Sequence, residues 1–92
     1  MKTIWKHPIE ITDIQSVPMP AGSRLLSVQQ QHGEWQGWFE VPNTLAPDAQ
    51  FRVFVLGTGN PITMDIGRYV CTAQDSKLGA VWHFYTDDGE WS

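Results

Sequence analysis

The sequence predicts an all-β, mainly antiparallel fold: a small β-sandwich or partly open barrel of about seven short strands. Three observations carry this. No apolar 3.6-residue period runs long enough for a helix. Short alternating runs recur at about 8–12-residue spacing with turn residues between them. One run, residues 51–56, is apolar on both faces: Phe51, Val53 and Val55 point one way, Phe54 and Leu56 the other. A strand of that kind belongs in the middle of a sheet covered on both sides, and two packed layers provide the cover.

The elements follow in order. Residues 3–9 open as a strand, with Pro8 suited to an edge or a bend. Residues 11–19 form a less regular strand, with Ile14, Val17 and Met19 apolar before the turn Pro20-Ala21-Gly22. Residues 24–31 place Leu26 and Val28 on one face and Leu25, Ser27 and Gln29 on the other. His32-Gly33 then makes a tight hairpin, because Gly takes positive φ without steric cost. The return strand, 34–41, alternates Trp35, Gly37, Phe39 and Val41 against Glu34, Gln36, Trp38 and Glu40, one face buried and one wet.

Residues 42–50 form a loop, with one helical turn begun at Asn43 or Thr44 as an option. The central run 51–56 stops at Gly57-Thr58-Gly59-Asn60-Pro61, where two glycines and a proline demand a specific turn. Residues 62–67 are irregular. Residues 68–74 are a strand with Tyr69, Cys71 and Ala73 opposite Val70 and Thr72. Residues 80–86 are the last strand, with Val81 and Tyr85 opposite Trp82 and Phe84. The acidic residues 87–92 read as a frayed, solvated tail. All 92 residues make one domain.

Composition narrows the function. Eleven aromatic rings (five Trp, four Phe, two Tyr) can build a dense core without metal or disulfide. The single cysteine, Cys71, excludes an intrachain disulfide and a multi-cysteine metal site. Net charge is −4 and the six cations are scattered, so direct nucleic-acid binding is not expected. No apolar stretch approaches the ~20 residues of a membrane span, and the first six residues lack the apolar core of a secretory signal. The expected setting is the bacterial host cytoplasm or a virion.

Several segments, taken together, carry a resemblance. They are Met1-Lys2-Thr3-Ile4-Trp5-Lys6, Met19-Pro20-Ala21-Gly22, Leu26-Ser27-Val28-Gln29, Gly57-Thr58-Gly59-x-Pro61, Gly67-Arg68-Tyr69 and Val81-Trp82-His83-Phe84. In that order the chain resembles a family of small phage and prophage proteins with no assigned activity. The resemblance implies a tailed-phage or prophage origin and brings no catalytic residues. Relatives often have His where this chain has Asn60, and Asn60 cannot take a proton at neutral pH. A turn role suits it instead.

Few residues suggest chemistry. Gly57, Thr58, Gly59 and Asn60 are the candidate ligand loop, since successive backbone N–H groups can cradle an anion. A phosphate loop would need a helix behind it and a following Lys, and Pro61 removes a donor. His7, His32 and His83 have no metal-ligand spacing. His83 reads as a hydrogen-bonded core or interface histidine, and Cys71 as a small buried residue unless His83 lies beside it as a base. Asp65 near Arg68 reads as a loop brace. Trp38, Trp82 and Phe84, with Arg24 and Arg52 as rim, are the candidate partner surface. No cofactor and no catalysis are expected. The leading expectation is a protein-interaction module that engages a host or virion protein. Homo-oligomeric assembly through strand edges and a nucleotide-binding loop are the alternatives.

Overall fold

A computed structural model describes residues 1–42 and 46–87. Its seven strands are β1 (Thr3–Pro8), β2 (Ile14–Met19), β3 (Arg24–Gln31), β4 (Glu34–Val41), β5 (Ala49–Gly57), β6 (Arg68–Gln74) and β7 (Val81–Thr86). They form two antiparallel sheets, of order β1-β4-β3 and β2-β5-β7-β6. The sheets pack as a sandwich and do not close into a barrel, as the strand count and patterning predict.

Alternation explains the core. The inner positions of β5, β7 and β4 supply Phe51, Val53, Val55, Phe84, Phe39 and Val41, all in one buried cluster. Phe39 meets Phe51 edge to face, with ring centroids 6.2 Å apart at 85°. Each such side chain contributes roughly 1.5–3 kcal/mol by leaving water. β5 lies between β2 and β7. Its outward-facing Phe54 is only 2% exposed, so the second face is covered at that residue, while the outward-facing Leu56 is only half-buried. The β3–β4 hairpin also forms as expected. His32 and Gly33 both take positive φ (54° and 81°), the pair of conformations a type I′ turn requires.

Two bulges correct the sequence reading. The β3–β4 register shifts between Leu25 and Ser27, so Leu25 and Val28 both face the core and Leu26 is exposed. The β6–β7 register shifts between Tyr69 and Cys71. Tyr69 therefore faces out, while Cys71 packs against the core. One extra residue flips every later side chain, which strict alternation cannot anticipate. The bulged strands meet where the sheets' edges approach. The Val28 N–H donates to Cys71 Sγ (3.3 Å), the thiol lies 3.4 Å from the Val28 carbonyl, and an Arg68 guanidinium N–H donates to the Leu25 carbonyl.

Asp87 is a further correction. The tail reading made it solvated, yet it is buried and its carboxylate accepts from the Arg52 backbone N–H (3.0 Å) and Nε–H (2.7 Å). The rest of the expected tail, residues 88–92, and the helical turn at Asn43 or Thr44 lie outside the described residues.

The turn between β6 and β7 is built on Asp75. Its carboxylate accepts from the N–H groups of Lys77 (2.9 Å) and Leu78 (3.0 Å) and from the Trp82 indole N–H (3.3 Å). The Leu78 N–H is the main cause holding this carboxyl below its ordinary value of 3.8. Partial burial opposes it, and the Lys77 N–H, the Trp82 N–H and the Lys77 charge assist. A carboxyl depressed in the folded state stabilises above its ordinary value, and that contribution is lost as pH falls through the depressed one. The Trp82 indole resonance and the Leu78 amide are therefore expected to shift together below about pH 4. In Asp75→Ala the acid-dependent shift should be absent. NMR titration of wild type and variant checks this.

Candidate binding face of the four-stranded sheet

The outward faces of β2, β5, β7 and β6 form one surface. β5 contributes Arg52, Phe54 and Leu56; opposite them in register stand Ile14 of β2 and Tyr85 and His83 of β7. Tyr69 and Thr72 of β6 continue the rows, and Tyr69 meets Tyr85 edge to face at 5.5 Å. Such a face should be wet in an isolated sandwich, yet here it is largely apolar.

The segment after β5 builds walls on it. The Asn60 N–H donates to the Gly57 carbonyl (3.2 Å), and Gly59 has φ of 91°, the glycine-favouring place of a type II turn. The chain then crosses the sheet with Ile62, Met64 and Ile66 alternating without strand pairing. Ile66 is buried and lines one cavity with Phe54; neither belongs to the main core cluster. Ile62 and Met64 stay more than half exposed (56% and 54%), as does Tyr69 (52%), and Ile14 is 44% exposed.

Two adjoining grooves result. The larger, of about 330 Å³, runs between Ile14, Phe54, Leu56, Ile62, Met64 and Ile66, with Asp13 and Asn60 among its polar lining. The smaller, of about 230 Å³, lies between the 57–60 turn, Leu56, Ile62, His83 and Tyr85. Leu56, Asn60 and Ile62 line both, so the grooves are continuous.

A chain of hydroxyls fixes the smaller groove. Thr58 Oγ1 lies 2.7 Å from His83 Nε2, and Thr72 Oγ1 lies 2.9 Å from His83 Nδ1 and 2.7 Å from Tyr69 Oη. With both ring nitrogens engaged, the imidazole acts as a bracket tying the turn to β6 across β7. His83 is hydrogen-bonded as expected, but on the outer face of the sheet and not in the core. Thr72 pairs with His83 while Cys71 pairs with Phe84, so Cys71 and His83 occupy opposite faces of the sheet and form no dyad. Asp65 accepts from the Gly67 N–H (2.9 Å), not from Arg68, whose guanidinium donates to the Leu25 carbonyl.

The ligand-loop residues Gly57, Thr58, Gly59 and Asn60 therefore come together at one groove. The five partner-surface residues do not. Phe84 is fully buried, and Trp82 sits on the same inward face, packed on the core. Trp38 is half-buried on the outer face of the three-stranded sheet, opposite Lys6 and Ser27. Arg24 pairs in register with Glu40 on that same sheet, and Arg52 is ion-paired to Asp87 on the other. Alternation separates them, because residues 82 and 84 point inward whenever 81, 83 and 85 point out. Ile14, Ile62, Met64, Tyr69 and Tyr85 were missed; the alternation of Ile62, Met64 and Ile66 was the available signal.

The fold and this surface define a small antiparallel β-sandwich with an apolar, grooved face on its larger sheet. The chain belongs to the family described as a domain of unknown function (DUF7352), whose sequence profile matches residues 1–91. No curated protein and no solved structure matches it.

Proposed function

We propose that this chain is a non-catalytic protein-interaction module whose binding face is the outer face of the four-stranded sheet. The observation that carries this reading is the gathering of Ile14, Ile62 and Met64, all substantially exposed, around a continuous pair of grooves, with the exposed Tyr69 packed against Tyr85 beside them. Clustered apolar side chains rimmed by polar groups mark interaction surfaces on small proteins, and aromatic residues commonly anchor them. The hydroxyl–imidazole bracket supports the same reading, since a pinned turn presents a preformed wall to a partner. Among the described residues, no group of three His, Cys, Asp or Glu side chains could hold a metal ion.

As a product of a phage or prophage genome, the module would act on a host or virion protein in the bacterial cytoplasm. A net charge of −4 favours a partner with a basic surface, and hence a complex that weakens as salt rises. Capture from bacterial lysate, using tagged wild type and an Ile62→Asp, Met64→Asp double variant, tests this. One stoichiometric partner is expected on the wild type, lost on the double variant and kept by Leu26→Asp on the other side of the molecule. A partner kept by all three proteins would count against this face. Sedimentation of the free protein identifies self-assembly as the competing reading: a concentration-dependent dimer abolished by the double variant would replace the partner with a second copy.

A further inference from the structure

The sandwich has unpaired strand edges on one side. On the other side the edges of β3 and β6 meet through the Val28–Cys71 and Arg68–Leu25 hydrogen bonds. The unpaired edges belong to β1 and β2, each at the end of its sheet. Odd-numbered residues bond inward on both: just past β1 the Ile9 N–H donates to the Trp35 carbonyl, and just before β2 the Asp13 carbonyl accepts from the Val55 N–H. An antiparallel ladder alternates, so the even-numbered residues turn their N–H and carbonyl groups away from the sheet. These are Ile4, Lys6 and Pro8 on β1 and Ile14, Ser16 and Pro18 on β2, all of them exposed. The two edges share one pattern, Ile-x-Lys-x-Pro and Ile-x-Ser-x-Pro, and differ at its centre.

A charged residue, commonly Lys, on an edge strand discourages pairing with another chain. β1 carries that guard at Lys6, whereas β2 holds no charged residue. We infer that β2 pairs with β2 of a second copy of this chain, antiparallel and centred on Ser16. In that register each Ser16 N–H donates to the Ser16 carbonyl of the second copy. Each Ile14 N–H donates to its Pro18 carbonyl, and the absent Pro18 N–H removes only the reciprocal bond. On the outer face Ile14 stands beside Pro18 of the second copy, and Asp13 falls opposite Met19, so no like charges oppose each other. The same register on β1 would set Lys6 against Lys6. The pairing is closed at two copies, because it uses both β2 edges while β3 meets the β6 edge of each sheet. It does not involve Ile62 or Met64.

Sedimentation velocity of the full chain over a concentration series tests this, with Ser16→Lys and Ser16→Glu beside wild type. Ser16 is exposed and its backbone groups face away from β5, so neither variant disturbs the chain's own sheet. Wild type is expected to dimerise as concentration rises. Either variant alone should weaken the dimer about five-fold, because like charges then face each other across the symmetry axis. An equimolar mixture of the two variants should restore it, since opposite charges then meet. The Ile62→Asp, Met64→Asp variant should dimerise as wild type does, which separates this edge from the grooved face. Amide exchange reports the register: Ile14 and Ser16 should slow as concentration rises, while Gln15 and Val17, bonded to β5, stay slow throughout. A wild type still monomeric at about 1 mM would overturn the inference. So would a dimer indifferent to both Ser16 variants, or a mixture that associates no more tightly than its components.

Discussion

Gly67→Ala is expected to destabilise the protein by about 3–5 kcal/mol, a large part of the ~5–15 kcal/mol available to a domain of this size. Two costs combine. Gly67 has φ of 77°, where a side chain is strained. Its added Cβ would also overlap the Thr86 carbonyl oxygen and stand 2.7 Å from the Thr86 carbon and 3.0 Å from Asp87 Cα. These are backbone atoms at the end of β7, so no side chain can swing away to relieve the contact. Gly59 and Gly33 also have positive φ, but open space surrounds their Cβ positions. Their alanine variants should cost only about 1 kcal/mol, the conformational part alone. Urea unfolding of the three variants separates the terms. Equal losses would mean that residue 67 does not pack against β7.

The second large effect is at Asp87. Asp87→Ala is expected to cost about 2–3 kcal/mol, less than a fully buried pair because a third of the Arg52 side chain remains exposed. The carboxylate gives one oxygen to the Arg52 backbone N–H and the other to its guanidinium, so a single residue ties the end of β7 to β5. Thr86 adds a hydroxyl hydrogen bond to the Arg52 carbonyl (2.8 Å). Asp87→Asn keeps an acceptor for the backbone N–H and should lose about half as much. Denaturant midpoints check both variants at unchanged slope. A loss under ~0.5 kcal/mol for Asp87→Ala would return Asp87 to the solvated tail that its acidic neighbours suggest.

Local signals made much of the fold legible. His32-Gly33 set the hairpin, and the double-faced run 51–56 placed β5 in the middle of a sheet. Both features are decided within a few residues. What the sequence hid depends on distant partners. Leu26 and Val70 are extra residues only relative to β4 and β7, and the edges of β3 and β6 meet across the two sheets. Asp87 looked like tail because Arg52 is 35 positions away in the chain.

The proposed binding face follows the same division. The 57–60 turn was visible as backbone geometry, so one groove wall was found. Trp82 and Phe84 are large rings on the core side of β7, so their size marks core and not a partner surface. Tyr69 was grouped with Cys71 until the bulge separated them, and Ile62 and Met64 were passed over in a segment without strand pairing.

The central claim concerns which face meets the partner, and a hydrogen-exchange footprint tests it most directly. Amide exchange of the free protein is compared with that of its complex with the captured partner. Slowed exchange is expected at Leu56, Thr58, Asn60, Ile62, Met64 and Tyr69, with little change around Trp38. Protection confined to the outer face of β1, β4 and β3, leaving residues 56–69 as in the free protein, would contradict it.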